Sequence, residues 1–207
     1  MTVLDTRLPG LDVSRETQEK LDHLVALLAK WSPRINLVSR TTLEESWTRH
    51  ILDSAQVFSI PDLRSGLWAD FGSGGGFPGL VVAILAQELA PGLKVTLVES
   101  DQRKSVFLRT ALRETDVEAQ VLSERIEKVP PLQADVISAR ALADLTVLLS
   151  FAERHMSKTG RAVFLKGANW KKELEAARES WKFDCAERKS ITDPNAVVLS
   201  IGALTHV

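Results

Sequence analysis

At 207 residues, with 44% hydrophobic and 26% charged residues, the chain has the size and composition of one globular domain with a short appendage. Its formal net charge of −1 excludes a global basic field, although a local basic patch can hold RNA on a neutral protein. A single cysteine excludes an intramolecular disulfide and offers no metal-ligand spacing, so no metal is expected.

The N-terminal stretch MTVLDTRLPGLDVS holds no apolar segment of signal-peptide length. No apolar run approaches the roughly 18 residues that span a membrane, so a cytoplasmic protein without a membrane partner is expected. Residues 1–64 read as a helical extension. Ser14 can cap a helix whose Leu21, Leu24, Val25, Leu28 and Trp31 share one stripe, and Pro33 is expected to end it. After a loop from Arg34 to Arg40, Thr42-Leu43-Glu44-Glu45 forms a capping box for a helix that runs toward Phe58 and stops before Pro61.

Residues 65–207 follow a different grammar and read as one compact unit. Short apolar strands are expected at Leu67–Phe71, Lys94–Glu99, Ala119–Leu122, Asp135–Ser138 and Arg161–Lys166. Helical patterns near 78–90, 101–115, 142–155 and 168–181 separate them. Such alternation argues for a parallel sheet covered on both faces. Phe183–Ile191, the turn Thr192-Asp193-Pro194-Asn195 and Ala196–Leu204 then read as an antiparallel hairpin. Cys185 lies in the alternating part of that hairpin and reads as a structural thiol rather than a nucleophile. The pattern is that of a three-layer, Rossmann-like α/β fold with a mostly parallel seven-stranded sheet. It resembles a class I S-adenosylmethionine-dependent methyltransferase carrying an N-terminal helical extension.

The densest signal is Ala69-Asp70-Phe71-Gly72-Ser73-Gly74-Gly75-Gly76-Phe77-Pro78-Gly79, between the first strand and its helix. Open α/β sheets place ligands at this carboxyl end. Gly74-x-Gly76-x-x-Gly79 matches a dinucleotide fingerprint, but that register leaves Gly72-Ser73 unexplained and puts Pro78, which has no N–H, where a pyrophosphate needs donors. The register Asp70-x-Gly72-x-Gly74-x-Gly76 suits S-adenosylmethionine, which carries no phosphate and lays its methionine arm on bare backbone. Glu99, with Ser100 at the tip of the next strand, is placed to accept both hydroxyls of a ribose, and this does not separate the two cofactors.

The loop resembles the DxGSGxGFPG stretch of the bacterial RsmG (GidB) family of 16S ribosomal RNA methyltransferases, which modify guanine N7. Asn36-Leu37-Val38-Ser39, Arg49-His50-Ile51-Leu52-Asp53-Ser54, Val98 to Lys104 with Phe107-Leu108, Arg140-Ala141 and Lys166-Gly167 resemble further stretches of that family in order. Two departures stand out: Gly75 where alanine is frequent, which should loosen the loop, and Ala139 where serine often precedes the arginine. The resemblance implies cofactor contacts at Gly72, Phe77, Ile126, Glu127 and Arg140. Glu127 is then a candidate acceptor for the adenine amino group, with Ile126 packing on the ring. Arg140 is a candidate for the cofactor carboxylate or for RNA. The cofactor set is therefore Asp70, Gly72, Ser73, Gly74, Phe77, Glu99, Ser100, Ile126, Glu127 and Arg140.

Guanine N7 already presents a lone pair, so attack on a sulfonium methyl needs no acid or base, only in-line positioning at roughly 3–3.5 Å. Arg49, His50, Arg140 and Lys166 are the positioning candidates. His50 and Asp53, three apart on a helix, are expected to pair. Further RNA-contact candidates are Arg34, Arg40, Arg103, Lys104, Lys171 and Lys172, with Trp170 a base-stacking candidate. The expected partner is 16S ribosomal RNA or a small-subunit particle rather than DNA, and the expected state is a monomer. Competing readings are a methyltransferase for another RNA or a small molecule, an NAD(P)-dependent oxidoreductase, and a non-enzymatic ribosome-binding module. The oxidoreductase reading fits poorly, since a chain without tyrosine has no Tyr-x-x-x-Lys pair.

Overall fold

The computed structural model describes residue 8, residues 10–39, residue 43 and residues 45–207. Arg40 and Thr42, the first residue of the expected capping box, lie outside the described residues. Helix α1, Arg15–Ile35, opens as its sequence requires: the Ser14 hydroxyl accepts the Thr17 N–H at 3.2 Å. The Glu88 carboxylate pins this start to the main body, accepting the Ser14 N–H at 2.9 Å and the Thr17 hydroxyl at 2.5 Å. Pro33 does not end α1; the helix continues to Asn36, whose left-handed conformation (φ 51°) lets its N–H reach the Ser32 carbonyl at 3.0 Å. A proline this near the C-terminus forfeits little beyond the bond of its own missing N–H, and Asn tolerates the left-handed cap. A π-helix, Trp47–Leu52, then runs directly into α2, Asp53–Phe58. Apolar periodicity does not distinguish this widened turn from ordinary helix.

The sheet follows: β1 (Ser65–Phe71), α3 (Gly79–Leu89), β2 (Gly92–Val98), α4 (Gln102–Glu114), β3 (Gln120–Leu122), a short 3₁₀ turn (Ile126–Lys128), β4 (Ala134–Arg140), α5 (Leu145–His155), β5 (Met156–Lys166), α6 (Trp170–Arg178), β6 (Trp181–Lys189) and β7 (Val197–His206). Its seven strands lie in the order β3-β2-β1-β4-β5-β7-β6. Strands β1 to β5 are parallel, and β7 runs antiparallel to both β5 and β6. Strand β5 starts five residues earlier than its apolar part predicts, and α6 stops three residues short.

Each face of the sheet carries its own apolar core. Helices α1 to α4 cover one, with Leu24, Leu28, Trp68, Ile84 and Phe107 buried together. Helices α5 and α6 cover the other, with Phe71, Ile137, Leu149 and Phe164. The extension therefore shares a core with α3 and α4. Strand alternation assigns residues to faces: Trp68 and Asp70 of β1 look toward the extension, as do Ser138 and Arg140 of β4. Half-buried Cys185 packs at the edge of the second core.

Candidate active site

The turn after β1 is built by its own backbone. Gly72 has φ of +62°, and a β-carbon there would stand 2.6 Å from Leu142 Cδ1. At Gly79 a β-carbon would come within 2.2 Å of Leu97 Cδ2 and 2.6 Å of Asp70 Oδ2, so only glycine lets α3 start this close to β1 and β2. Ser73 secures the turn: its hydroxyl donates to the Asp70 carbonyl at 3.0 Å, and its carbonyl accepts the Gly76 N–H at 2.6 Å. Glu99, buried at the tip of β2, takes the Gly74 N–H on Oε2 at 2.8 Å and the Asp101 N–H on Oε1 at 2.7 Å. One carboxylate thus sets both the glycine turn and the start of α4.

Asp70 is fully buried below this turn. It accepts the Ser138 hydroxyl on Oδ1 at 2.7 Å, while Ser138 accepts the Trp68 indole N–H at 2.8 Å. Its Oδ2 has no hydrogen-bond partner among the described residues. Burial pushes its pKa up to about 6, with the Ser138 hydroxyl pulling the other way. The folded state therefore binds this proton more tightly than the unfolded chain, whose aspartate ionises near 3.8. The group favours the fold below about pH 4, and that contribution is lost as pH rises through about 6. Asp70→Asn is expected to flatten this part of the stability profile; urea unfolding at half-unit pH steps between about pH 4 and 7 measures it.

Two cavities open along the carboxyl edge of the sheet. The smaller, of 350 Å³, is lined by Gly72, Gly74, Glu99, Ser100, Ile126 and Glu127, with Leu142, Val147 and Phe151 as apolar walls and Lys104 and Arg125 among its charged residues. The Ile126 carbonyl lies 3.1 Å from Nε2 of His155, a fully buried residue on α5. No local pattern marks this partner of His155, because the contact spans 29 residues. Asp70, Ser73 and Phe77 do not line this cavity, although their motif joins them to it: they are buried behind the turn they shape.

The larger cavity, of 730 Å³, is lined by Arg49, His50, Asp53, Arg140, Lys166 and the β6–β7 turn at Ser190 to Asp193. Ala141, Leu142 and Ala143 form a wall common to both cavities. Arg140 lines only the larger one. Its Nη1 donates to the Arg49 carbonyl at 2.9 Å and to Asp53 Oδ2 at 3.3 Å, and its Nη2 lies 3.0 Å from His50 Nδ1. His50 and Asp53 therefore meet through Arg140 rather than as the expected direct pair. Asp53 Oδ1 also accepts the Thr192 hydroxyl at 2.7 Å and the Gln56 amide at 2.8 Å. This carboxylate joins the extension, β4 and the β6–β7 turn, a role invisible in local spacing.

Lys166 is buried, bonded to the Ala143 carbonyl at 2.9 Å and to Glu173 at 2.6 Å. It locks the shared wall rather than presenting a free charge. Arg49, half-exposed, pairs with Glu45 at 3.1 Å and lies 3.7 Å from Asp193. Arg34, Lys171 and Lys172 are exposed, Arg103 is tied to Asp101 at 3.1 Å, and Lys104 faces the smaller cavity. Trp170 packs partly buried against the second core, with the Lys171 ammonium 5.4 Å from its ring centre. Among the described residues no helix is long and apolar enough to cross a membrane.

The chain matches the GidB family, described as rRNA small subunit methyltransferase G, over residues 17–198. It is 55% identical over 197 residues to "Ribosomal RNA small subunit methyltransferase G" of Ruegeria sp. (strain TM1040), covering 95% of this chain and 96% of that one. The protein of the same name from Ruegeria pomeroyi is 56% identical, again over 95% and 96%. In fold, the chain is similar to a TehB-like SAM-dependent methyltransferase from Corynebacterium glutamicum, with TM-score 0.59 and 16% identity over 88% of this chain and 98% of that one. The chain belongs to the GidB family, and that membership removes the oxidoreductase reading.

Proposed function

We propose that this member of the GidB family transfers a methyl group from S-adenosyl-L-methionine to N7 of a guanine in 16S ribosomal RNA, releasing S-adenosyl-L-homocysteine. The observation that carries the reading is the pair of cavities divided by Ala141 to Ala143. The smaller has the chemistry and size of a cofactor site: bare glycine backbone for an amino-acid arm, the Glu99 carboxylate for a ribose diol, and Ile126, Val147 and Phe151 for a flat base. S-adenosylmethionine supplies an activated methyl on a sulfonium. Glu99, Ser100, Ile126 and Glu127 would hold its adenosine, and Gly72 and Gly74 its arm.

The larger cavity has room for a nucleotide and is walled by Arg49, Arg140 and His50. N7 needs no deprotonation, so these residues act by orienting the base and neutralising RNA phosphate. Arg49→Glu is expected to reduce RNA methylation at least about 10-fold with cofactor affinity unchanged, read by methyl transfer and calorimetry. Lys166 is a poorer probe, because reversing it sets a carboxylate against Glu173 and disturbs the wall of both cavities. We further propose a monomer acting in the cytoplasm, where its RNA substrate is found. The deciding experiment is tritiated-methyl transfer to ribosomal RNA from cells lacking this protein. Label is expected in 7-methylguanosine; label in another nucleoside overturns the assignment.

A further inference from the structure

His50 lies in the wall of the larger cavity, buried, with its ring 4.8 Å from that of Phe77 and 20° from parallel. Its Nδ1 faces Arg140 Nη2 at 3.0 Å. A guanidinium has only N–H groups to offer, so Nδ1 must accept and the ring proton must sit on Nε2. The ring is neutral, its pKa held down at about 4 by burial first and by the Arg140 charge second. Nε2–H is buried and has no hydrogen-bond partner among the described residues. A buried donor without an acceptor bears the full cost of its lost hydration. Turning the ring to relieve it would break the Arg140 bond, and the Phe77 stack holds the ring plane. Arg140 and Phe77 thus fix the placement of a donor that the fold itself leaves unused.

We propose, resting on the guanine-N7 reading above, that His50 Nε2–H is the donor that receives O6 of the target guanine. Guanine presents N7 and O6 side by side, both as acceptors. An enzyme that alkylates N7 cannot cover that atom, so the bidentate arginine that commonly reads this edge is the wrong group. A single donor on O6 holds the edge and leaves N7 facing the shared wall. A neutral donor also adds no positive charge beside a purine that becomes cationic on methylation. Adenine carries an amino group in place of O6, setting N–H against N–H and leaving both donors unpaired. Such a mismatch is expected to discriminate by about 10-fold per contact. Nε2 is closed to water before substrate binds, so the wall eases by a side-chain shift of the kind common at binding surfaces.

The test uses small-subunit particles reconstituted with 16S RNA that carries either guanine or 2-aminopurine at the methylated position. 2-Aminopurine keeps N7 and replaces O6 with hydrogen. The unmodified protein is expected to prefer guanine by about 10-fold in kcat/KM. His50→Phe keeps an aromatic ring over Phe77 and loses both nitrogens. It is expected to slow on guanine to the 2-aminopurine rate, with cofactor affinity unchanged by calorimetry. His50→Gln keeps an amide donor near the Nε2 position and is expected to retain at least threefold of the preference. Should His50→Phe fail to fold, the two bases compared with the unmodified protein and His50→Gln decide. Equal rates on the two bases with the unmodified protein, or full preference in His50→Phe, overturn the role of His50 while leaving the methyltransferase reading intact. No transfer to guanine at all overturns both.

Discussion

Arg140→Met is expected to lower folding stability by about 3 kcal/mol and methyl transfer by about 100-fold, with cofactor affinity little changed. The guanidinium fills three demands at once: the Arg49 carbonyl, the Asp53 carboxylate and His50 Nδ1. It also lies over the Phe77 ring at 5.2 Å. The Arg140 and Asp53 side chains are only 20% and 16% exposed, so removing one leaves the other charge largely buried and unmatched. Asp53 then loses its hold on β4 while still gripping Thr192 and Gln56, and the larger cavity loses its register. Arg140→Lys is expected to fare little better, because an ammonium on a flexible stem cannot span three acceptors in one plane. Urea unfolding, single-turnover methyl transfer and calorimetry measure the three effects separately. If cofactor binding collapses while transfer at saturating cofactor survives, Arg140 serves the cofactor carboxylate instead.

The second large effect is expected at Glu99. Glu99→Gln should weaken S-adenosylmethionine binding about 100-fold by calorimetry, with a smaller loss of thermal stability. Both carboxylate oxygens accept backbone N–H groups, from Gly74 and Asp101. A glutamine amide presents an NH₂ to one of them, so a donor faces a donor where a charge-assisted bond stood. Hydrogen bonds to a charged group contribute about 1.5–3 kcal/mol each. The glycine turn and the proposed ribose acceptor are expected to fail together because one side chain serves both. Glu99→Asp keeps the charge but shortens the reach, and an intermediate affinity is expected. Unchanged affinity in Glu99→Gln would place the ribose elsewhere.

Much of the architecture is legible in the residue pattern because it is local. Each parallel strand is a short apolar run, each covering helix has its own period, and the turn chemistry at 192–195 marks the final hairpin. The smaller cavity is legible for the same reason: Gly72, Gly74, Glu99 and Ser100 sit at strand tips, and a parallel sheet brings neighbouring tips together. The pairing of His50 with Asp53 is the instructive miss. Helical spacing places the two residues near each other, but Arg140, 90 residues from His50, stands between them. Lys166 misleads likewise, since a lysine at a strand end resembles a free charge until Glu173 arrives from α6. Pro33 and the π-helix at Trp47–Leu52 show the limit at helix ends, where one backbone bond more or less leaves no trace in periodicity.

The sequence by itself determined the fold class, the glycine turn and the family. These depend on contacts between residues close along the chain or on strands laid side by side. Only the tertiary structure decided which face of β4 carries Arg140, that Asp53 and His50 meet on it, and that two cavities share the wall at Ala141 to Ala143. Those outcomes depend on how the helical extension docks on the sheet. That docking is driven by burial of Leu24, Leu28 and their partners against α3 and α4. Burial has magnitude but little direction, so the geometry of the polar groups carried along with it follows only from the packed structure.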